Sequence, residues 1–288
     1  MYTGFVSPAE DVVDDAVARA LGAAGERMPR GGWQRVEHGS ANLVVLAWRV
    51  AVRVARSADA ASEALRAQRL IDALPALPFA VPRSAAPAID DRAAGGVVAI
   101  AQERVDGEPH ASGSGDPVEL RLLLDALRET DLTPFRRHLA HRHTFFGGEE
   151  GLRLMAGEAV TMLAPTARER ARRAVEAFIG LAPHGEVLTH GDLAGSNVLW
   201  TGDVASTVSG LIDWDLAAAD DEAKDVAALA TWHGWDAVTQ IVPPEVAHRA
   251  RVTAATYPLQ LLCFAIAGSR PATELERAVA RANDVYGG

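Results

Sequence analysis

Lysine is almost missing from this sequence. Of 28 Lys and Arg residues in 288, the one lysine is Lys224, so chemistry that needs a lysine elsewhere must use arginine or be discarded. Cysteine is as scarce: Cys263 stands alone, which excludes an intramolecular disulfide and a cysteine metal cluster and leaves a buried apolar thiol as the ordinary reading. Long hydrophobic runs are absent, none reaching the length of a membrane span, and the opening stretch MYTGFVSPAEDVVDDAV is acidic, unlike a signal peptide. These features predict a cytoplasmic protein with no membrane partner. Positive charge is in deficit, with a formal net charge of −10, which argues against broad nucleic-acid binding because that needs a cationic surface. The same charge is compatible with a cationic small-molecule partner.

What is present is globular in character: 49% hydrophobic and 23% charged residues, in a chain long enough for one large domain or two lobes. Residues 8–24 read as an amphipathic helix opened by Ser7-Pro8. WQRVEHGSANLVVLAWRVAVRVARS reads as three short strands, with turns at Gly39-Ser40 and Trp48-Arg49. A helix over EALRAQRLIDAL, a proline-rich connection and a fourth strand in GGVVAIAQE follow. Beyond residue 115 the pattern is helical, beginning with GDPVELRLLLDALRE, where Asp116 is an N-cap, Pro117 the first helical residue and Glu119 the partner of a capping box. Short strand-like runs, EVLTH, NVLW and VSGLIDW, interrupt the helices. The expected architecture is α+β and two-lobed: a small lobe with an antiparallel sheet over 1–105, a larger mainly helical lobe over 106–288, and a ligand cleft between them.

LTHGDLAGSNVLW, residues 188–200, sets His190, Asp192 and Asn197 in a polar loop between apolar runs. As bare residue types these make an ordinary turn. Phosphoryl transfer needs a carboxylate near the acceptor hydroxyl and oxygen ligands for nucleotide-bound magnesium, and the kinase catalytic loop uses an Asp and, five residues on, an Asn. Downstream, SGLIDWDLAAADDEAKDVAAL ends an apolar strand in Asp213, a hard-cation donor at a strand end. Asp225 sits at the start of an apolar helix, where a carboxylate complements the helix dipole.

His190-Gly191-Asp192-Leu193, Asn197, Ile212-Asp213-Trp214 and Asp225 resemble the aminoglycoside phosphotransferase and choline kinase group, small-molecule kinases of protein-kinase-like fold. The resemblance implies ATP or GTP as phosphoryl donor, with Asp192 as catalytic base and Asn197 and Asp213 as ligands of Mg2+. His190 matches a loop histidine whose part is structural.

In VAVRVA, Val50, Val52 and Val54 face one way and Ala51, Arg53 and Ala55 the other. Ala51 suits a flat adenine, and Arg53 stands where the kinase pattern has the lysine that grips the α- and β-phosphates. Arginine presents a fixed fork suited to phosphate, so the replacement is chemically sound. The plain alternative is a solvent-facing arginine on an edge strand. Glu63, on the next helix, is expected to pair with Arg53, with Arg56 as its competing partner. Gly39 and Ser40 would form the phosphate-covering turn, although one glycine falls short of a glycine-rich loop. Backbone groups from Glu103 to Val105 would meet the adenine edge.

Acceptor contacts are expected from the helical part. Asp215, Asp220, Asp221 and Glu222 form an acidic run that would attract an amine, or a merely solvated loop. Trp232 and Trp235, flanking His233, would line a pocket or fill the core. The preferred acceptor is an aminoglycoside-like hydroxyl compound; a macrolide and a small metabolic alcohol are the alternatives within the same chemistry. Outside it stand a catalytically silent kinase-like binding protein, favoured by the missing lysine, and a metal-dependent hydrolase using His190, Asp192 and Asp213. The hydrolase lacks the further histidines expected around zinc.

Overall fold

A computed structural model describes residues 8–37, 39, 41–182, 184–202 and 206–288. The alternating valines do what their period demands. β3 (Val50–Ala55) is the middle strand of a five-stranded antiparallel sheet with β1 (Gln34–Val36), β2 (Asn42–Leu46), β4 (Ile89–Asp90) and β5 (Val98–Glu103), in the order β1-β2-β3-β5-β4. Val50, Val52 and Val54 pack on one face against Val13, Val17 and Leu21 of helix α1 (Glu10–Ala23). The other face meets helix α2 (Ala58–Ala73) through Ala55, Ala61, Ala64, Val98 and Ile100. Ser57 caps α2, its hydroxyl accepting from the Ala60 N–H at 3.2 Å.

Two further small sheets follow: β6 (Glu108–Pro109), β8 (Val198–Thr201) and β9 (Thr207–Leu211) form one, and β7 (Val187–Thr189) pairs with β10 (Ala218–Asp220) in the other. β4, β6 and β10 are absent from the sequence reading because two or three residues cannot display a period. The helices are α3 (Pro117–Arg128), α4 (Gly148–Leu154), α5 (Pro165–Ile179), α6 (Ala223–His233), α7 (Trp235–Thr239), α8 (Pro244–Ala254), α9 (Tyr257–Ala267) and α10 (Ala272–Gly287). Asp116 caps α3 as expected, accepting from the Val118 N–H at 2.7 Å. α4 runs on into a widened π turn at Met155–Ala159. Cys263 is fully buried in the core that α5, α9 and α10 share, and burial pushes its thiol up to about 12.

The chain divides into two compact units. One comprises Met1–Pro109, Thr133–Leu139 and Asn197–Asp215; the other comprises His110–Leu132, Ala140–Ser196 and Leu216–Gly288. The first holds the five-stranded sheet together with β6, β8 and β9, tied to the 75–88 connection where the Ala80 N–H donates to Ser209 C=O at 2.8 Å and Leu211 N–H donates back at 3.0 Å. The second holds α3–α10 and the β7–β10 pair. Among the described residues no single helix is long and apolar enough to cross a membrane.

Candidate active site

In the first unit Arg53 is buried, with 8% of its surface exposed, which removes the solvent-facing alternative. Its fork is bidentate on Asp215, Nη1 to Oδ1 at 3.1 Å and Nη2 to Oδ2 at 2.6 Å, and Nη2 also reaches Asp213 Oδ1 at 3.5 Å. Burial works against the charge, but Asp215 and Asp213 outweigh it and hold the guanidinium protonated beyond the ordinary arginine range. Asn42 adds a bond from Nδ2 to Asp215 Oδ2 at 3.3 Å.

The expected Arg53–Glu63 pair is not formed. Glu63 is exposed on α2 and accepts from Arg66 Nε at 2.9 Å. Arg66 also donates to the carbonyls of His138 and Asp215, each at 2.6 Å. A nearer carboxylate has taken Arg53, and a nearer cation has taken Glu63. Asp215, counted from sequence among acceptor contacts, is therefore the partner of Arg53.

Arg56 does not compete for Glu63 either: its Nε donates to Gly39 C=O at 3.0 Å and its Nη2 to Glu37 C=O at 2.8 Å. Those bonds shape the expected phosphate-covering turn, where a Cβ on Gly39 would lie 2.6 Å from the Asn42 carbonyl. Ser40, the other residue expected there, lies outside the described residues. Ala51 stands on β3 opposite Gln102, on the same face as Arg53. In the segment from Glu103 to Val105, expected to meet the adenine edge, the Glu103 N–H donates to Arg83 C=O at 2.7 Å and the Arg104 N–H to Arg49 C=O at 2.9 Å.

Asn197 and Asp213 lie at neighbouring strand ends: Val198 pairs with Leu211, and one residue beyond, the Ile212 N–H donates to Asn197 C=O at 3.0 Å. Asn197 is buried and Asp213 exposed. Asp213 holds φ at 65°, a left-handed conformation that costs a residue with a Cβ roughly 1–2 kcal/mol. Mg2+ takes one or two oxygen ligands from a protein and completes its shell with water and substrate phosphates, so this pair of oxygen donors fits it. Among the described residues no three His, Cys, Asp or Glu side chains gather as a metal site.

In the second unit the loop after β7 is fastened by Asp225. This carboxylate, 2% exposed, accepts from the His190 N–H at 2.7 Å and the Gly191 N–H at 2.8 Å. Desolvation pushes its pKa up to about 6, against the pull of those two amides. Gly191 is obligatory: φ is +83° and a Cβ would lie 2.4 Å from Leu216 C=O. His190 is fully buried, and its Nδ1 accepts from the Asp192 N–H at 3.3 Å. Gly195 is required as well, since a Cβ there would strike the Trp232 indole.

Asp192 lines a cavity of about 460 Å3 contained in this unit. Asp220 and Trp232, expected from sequence, line it too; Trp235 does not, and carries Arg251 over its ring at 4.4 Å. The indole N–H of Trp232 donates to His110 C=O at 3.1 Å. Missed in the sequence were Arg142, His143 and Phe145 from an irregular loop, Phe178 and Ile179 from the end of α5, and Tyr257. Loop residues have no period to betray them, and only the exposure of Ile179, at 55%, is an anomaly a pattern could flag.

Residues 32–258 match the family model described as the phosphotransferase enzyme family. The chain is similar to viomycin phosphotransferase of Streptomyces vinaceus, 35% identical over 86 residues, which amount to 30% of this chain and 30% of that protein. Among solved structures it resembles a GDP complex of aminoglycoside 2'-phosphotransferase-IIIa, with a TM-score of 0.78, 14% identity and coverage of 97% of this chain and 99% of that one. It also resembles a macrolide 2'-phosphotransferase from Brachybacterium faecium, with a TM-score of 0.68, 22% identity and coverage of 96% and 98%. At these identities the two structures establish the fold, and they bear out the kinase-like α+β architecture expected from sequence.

Proposed function

This chain belongs to the phosphotransferase enzyme family, and from that premise we propose that it moves the γ-phosphoryl group of ATP or GTP onto a hydroxyl of a small molecule. The observation that carries the reading is the Asp192 loop, fastened through two amides to buried Asp225 and lining a cavity wide enough for a small molecule. Asp192 accepts the proton of the acceptor hydroxyl as its oxygen attacks the γ-phosphorus and the nucleoside diphosphate leaves. Arg53, held by Asp215, offsets phosphate charge with the donors of its fork that remain. Asn197 and Asp213 would hold Mg2+, which when bound neutralises phosphate charge. Backbone groups from Glu103 to Val105 meet the base. The relatives named for viomycin, an aminoglycoside and a macrolide make antibiotics the first acceptors to try.

The test is Asp192→Ala. Removal of a general base costs about 10²–10⁴ in turnover. Nucleotide affinity, measured by titration calorimetry with Mg2+, should stay within about twofold, since the nucleotide-contacting groups are untouched. Undiminished phosphoryl transfer in this variant would refute the mechanism. A silent binding protein would instead give no transfer to any acceptor with the native chain.

A further inference from the structure

Two of the three carboxylates lining the cavity are already paired with cations of the same wall. Three carboxylates, Asp192, Asp220 and Asp221, share the wall with four permanent cations, Arg142, Lys224, Arg249 and Arg281. Asp221 is held by Arg249, Nε to Oδ2 at 2.7 Å, with Nη2 on the same oxygen, and Arg249 is buried. Asp220, itself buried, has Arg142 Nε at 3.5 Å and Lys224 Nζ at 3.8 Å. Arg281 has no ion pair among the described residues. Burial also lowers the His143 pKa, so this ring is neutral near pH 7. Around these pairs the wall is apolar: Phe145, Leu152, Phe178, Ile179, Leu181 and Trp232.

On the proposed function this cavity holds the acceptor, and on that reading we infer that the acceptor is a hydroxylated molecule with a broad apolar face and at most one positive charge, not a polyamine. Each ammonium group of a polyamine would need a carboxylate. Asp192 is committed to the hydroxyl; drawing Asp221 off buried Arg249, or Asp220 off Lys224, would leave a cation without its ion pair in a partly buried wall, while Arg142 keeps Glu186 at 2.8 Å. An ammonium set against Phe178 or Ile179 instead loses its hydration without replacement. A large ring with an apolar side gains from the same wall, since burying apolar area is favourable in proportion to that area. On this reading the acidic run does not recruit amines through Asp220 and Asp221, which was one of the two alternatives the sequence left open.

Two probes separate the cases: erythromycin, a large lactone ring with one amine, and kanamycin, a polyamine. Binding to the full chain is measured by calorimetry, and phosphoryl gain by mass spectrometry with Mg2+ and ATP or GTP. Erythromycin should bind at least about tenfold more tightly than kanamycin, and Phe178→Ala should weaken erythromycin binding by about tenfold. Because Phe178 touches the core, Ile179→Asn at an exposed position is a second variant, expected to weaken the same binding severalfold. Kanamycin binding as tightly as erythromycin, no erythromycin binding, or no loss in either variant overturns the inference. Erythromycin bound as expected but never phosphorylated refutes the proposed transfer and leaves the inference standing. Kanamycin bound tightly and phosphorylated does the reverse.

Discussion

Arg53 stands where the kinase pattern read from sequence would place a lysine, and in this structure its partner is Asp215 and not Glu63. A lysine ammonium is a point charge that one carboxylate on the neighbouring helix can satisfy, whereas a guanidinium is a planar fork that seeks a carboxylate in its own plane. Asp215 supplies that geometry with bonds of 2.6 and 3.1 Å, and its own backbone carbonyl is held by Arg66. Glu63 keeps an indirect connection, since it pairs with Arg66. Under the proposed function Asp215→Asn should raise the KM for nucleotide by about tenfold, worth 1.4 kcal/mol, because the remaining amide cannot hold the fork on both sides. Glu63→Gln should change it by less than about twofold, since Arg66 retains two carbonyl acceptors. Initial-rate kinetics on the two variants decides this: equal effects, or the larger one in Glu63→Gln, would return the positioning role to α2. Arg53→Lys should also raise that KM, since a point charge cannot reproduce the bidentate contact.

At the scale of elements, helix α6 holds the loop that carries Asp192, and it does so through a carboxylate that burial makes reluctant to ionise. Asp225 has a pKa of about 6 in the folded chain against 3.8 for the free side chain. A raised carboxylate pKa means the folded state keeps its proton longer than the unfolded state. The stability linked to this group is therefore fully present below about pH 4 and is lost as pH rises to about 6, by roughly 3 kcal/mol, and is flat above. His233 at the other end of α6 works in the opposite sense. Desolvation, then the charge of His110, depresses it to about 4, so its contribution is present above pH 6.5 and lost as pH falls through 4. The two overlap in the bulk curve and are separated by subtraction. Urea unfolding of the native chain and Asp225→Asn from pH 4 to 7 should show a difference that shrinks as pH rises to 6 and then stays level. A difference that grows over this range would mean that Asp225 ionises easily where it is.

At the scale of the whole chain, the two units are not two consecutive pieces of sequence. The unit that begins at residue 1 recruits 133–139 and 197–215. β8 and β9 arrive from the second half, β6 pairs with β8, and Ala80 bonds on either side of Gly210 through the carbonyl of Ser209 and the amide of Leu211. Arg53 likewise takes its carboxylate partners from that late segment. A fragment of residues 1–109 would therefore lose strand partners and leave a buried cation unpaired, a loss of roughly 3–5 kcal/mol from the ion pair alone. The fragment should be unfolded or aggregated at temperatures where the full chain is native, as circular dichroism would register. A cooperative transition matching that of the full chain would show that the first 109 residues are self-sufficient.

Sequence by itself determined whatever depends on neighbours along the chain. The two-residue period of 50–55 fixed which face of β3 carries Arg53, Asp116 and Pro117 marked the start of α3, and the Gly191 and Gly195 spacing within LTHGDLAGSNVLW left that loop free to turn tightly under Leu216 and Trp232. The same local reading singled out Asp192, Asn197 and Asp213 as candidates. Tertiary structure alone decided which charges meet. Arg53 and Asp215 are 162 positions apart, Arg249 and Asp221 28 apart on different elements, and nothing periodic links either pair. The acidic run could be read either as bait for an amine or as a solvated loop because sequence displays charges and hides their partners. Folding neutralised two of those carboxylates, since a half-buried charge is tolerated only when it is paired.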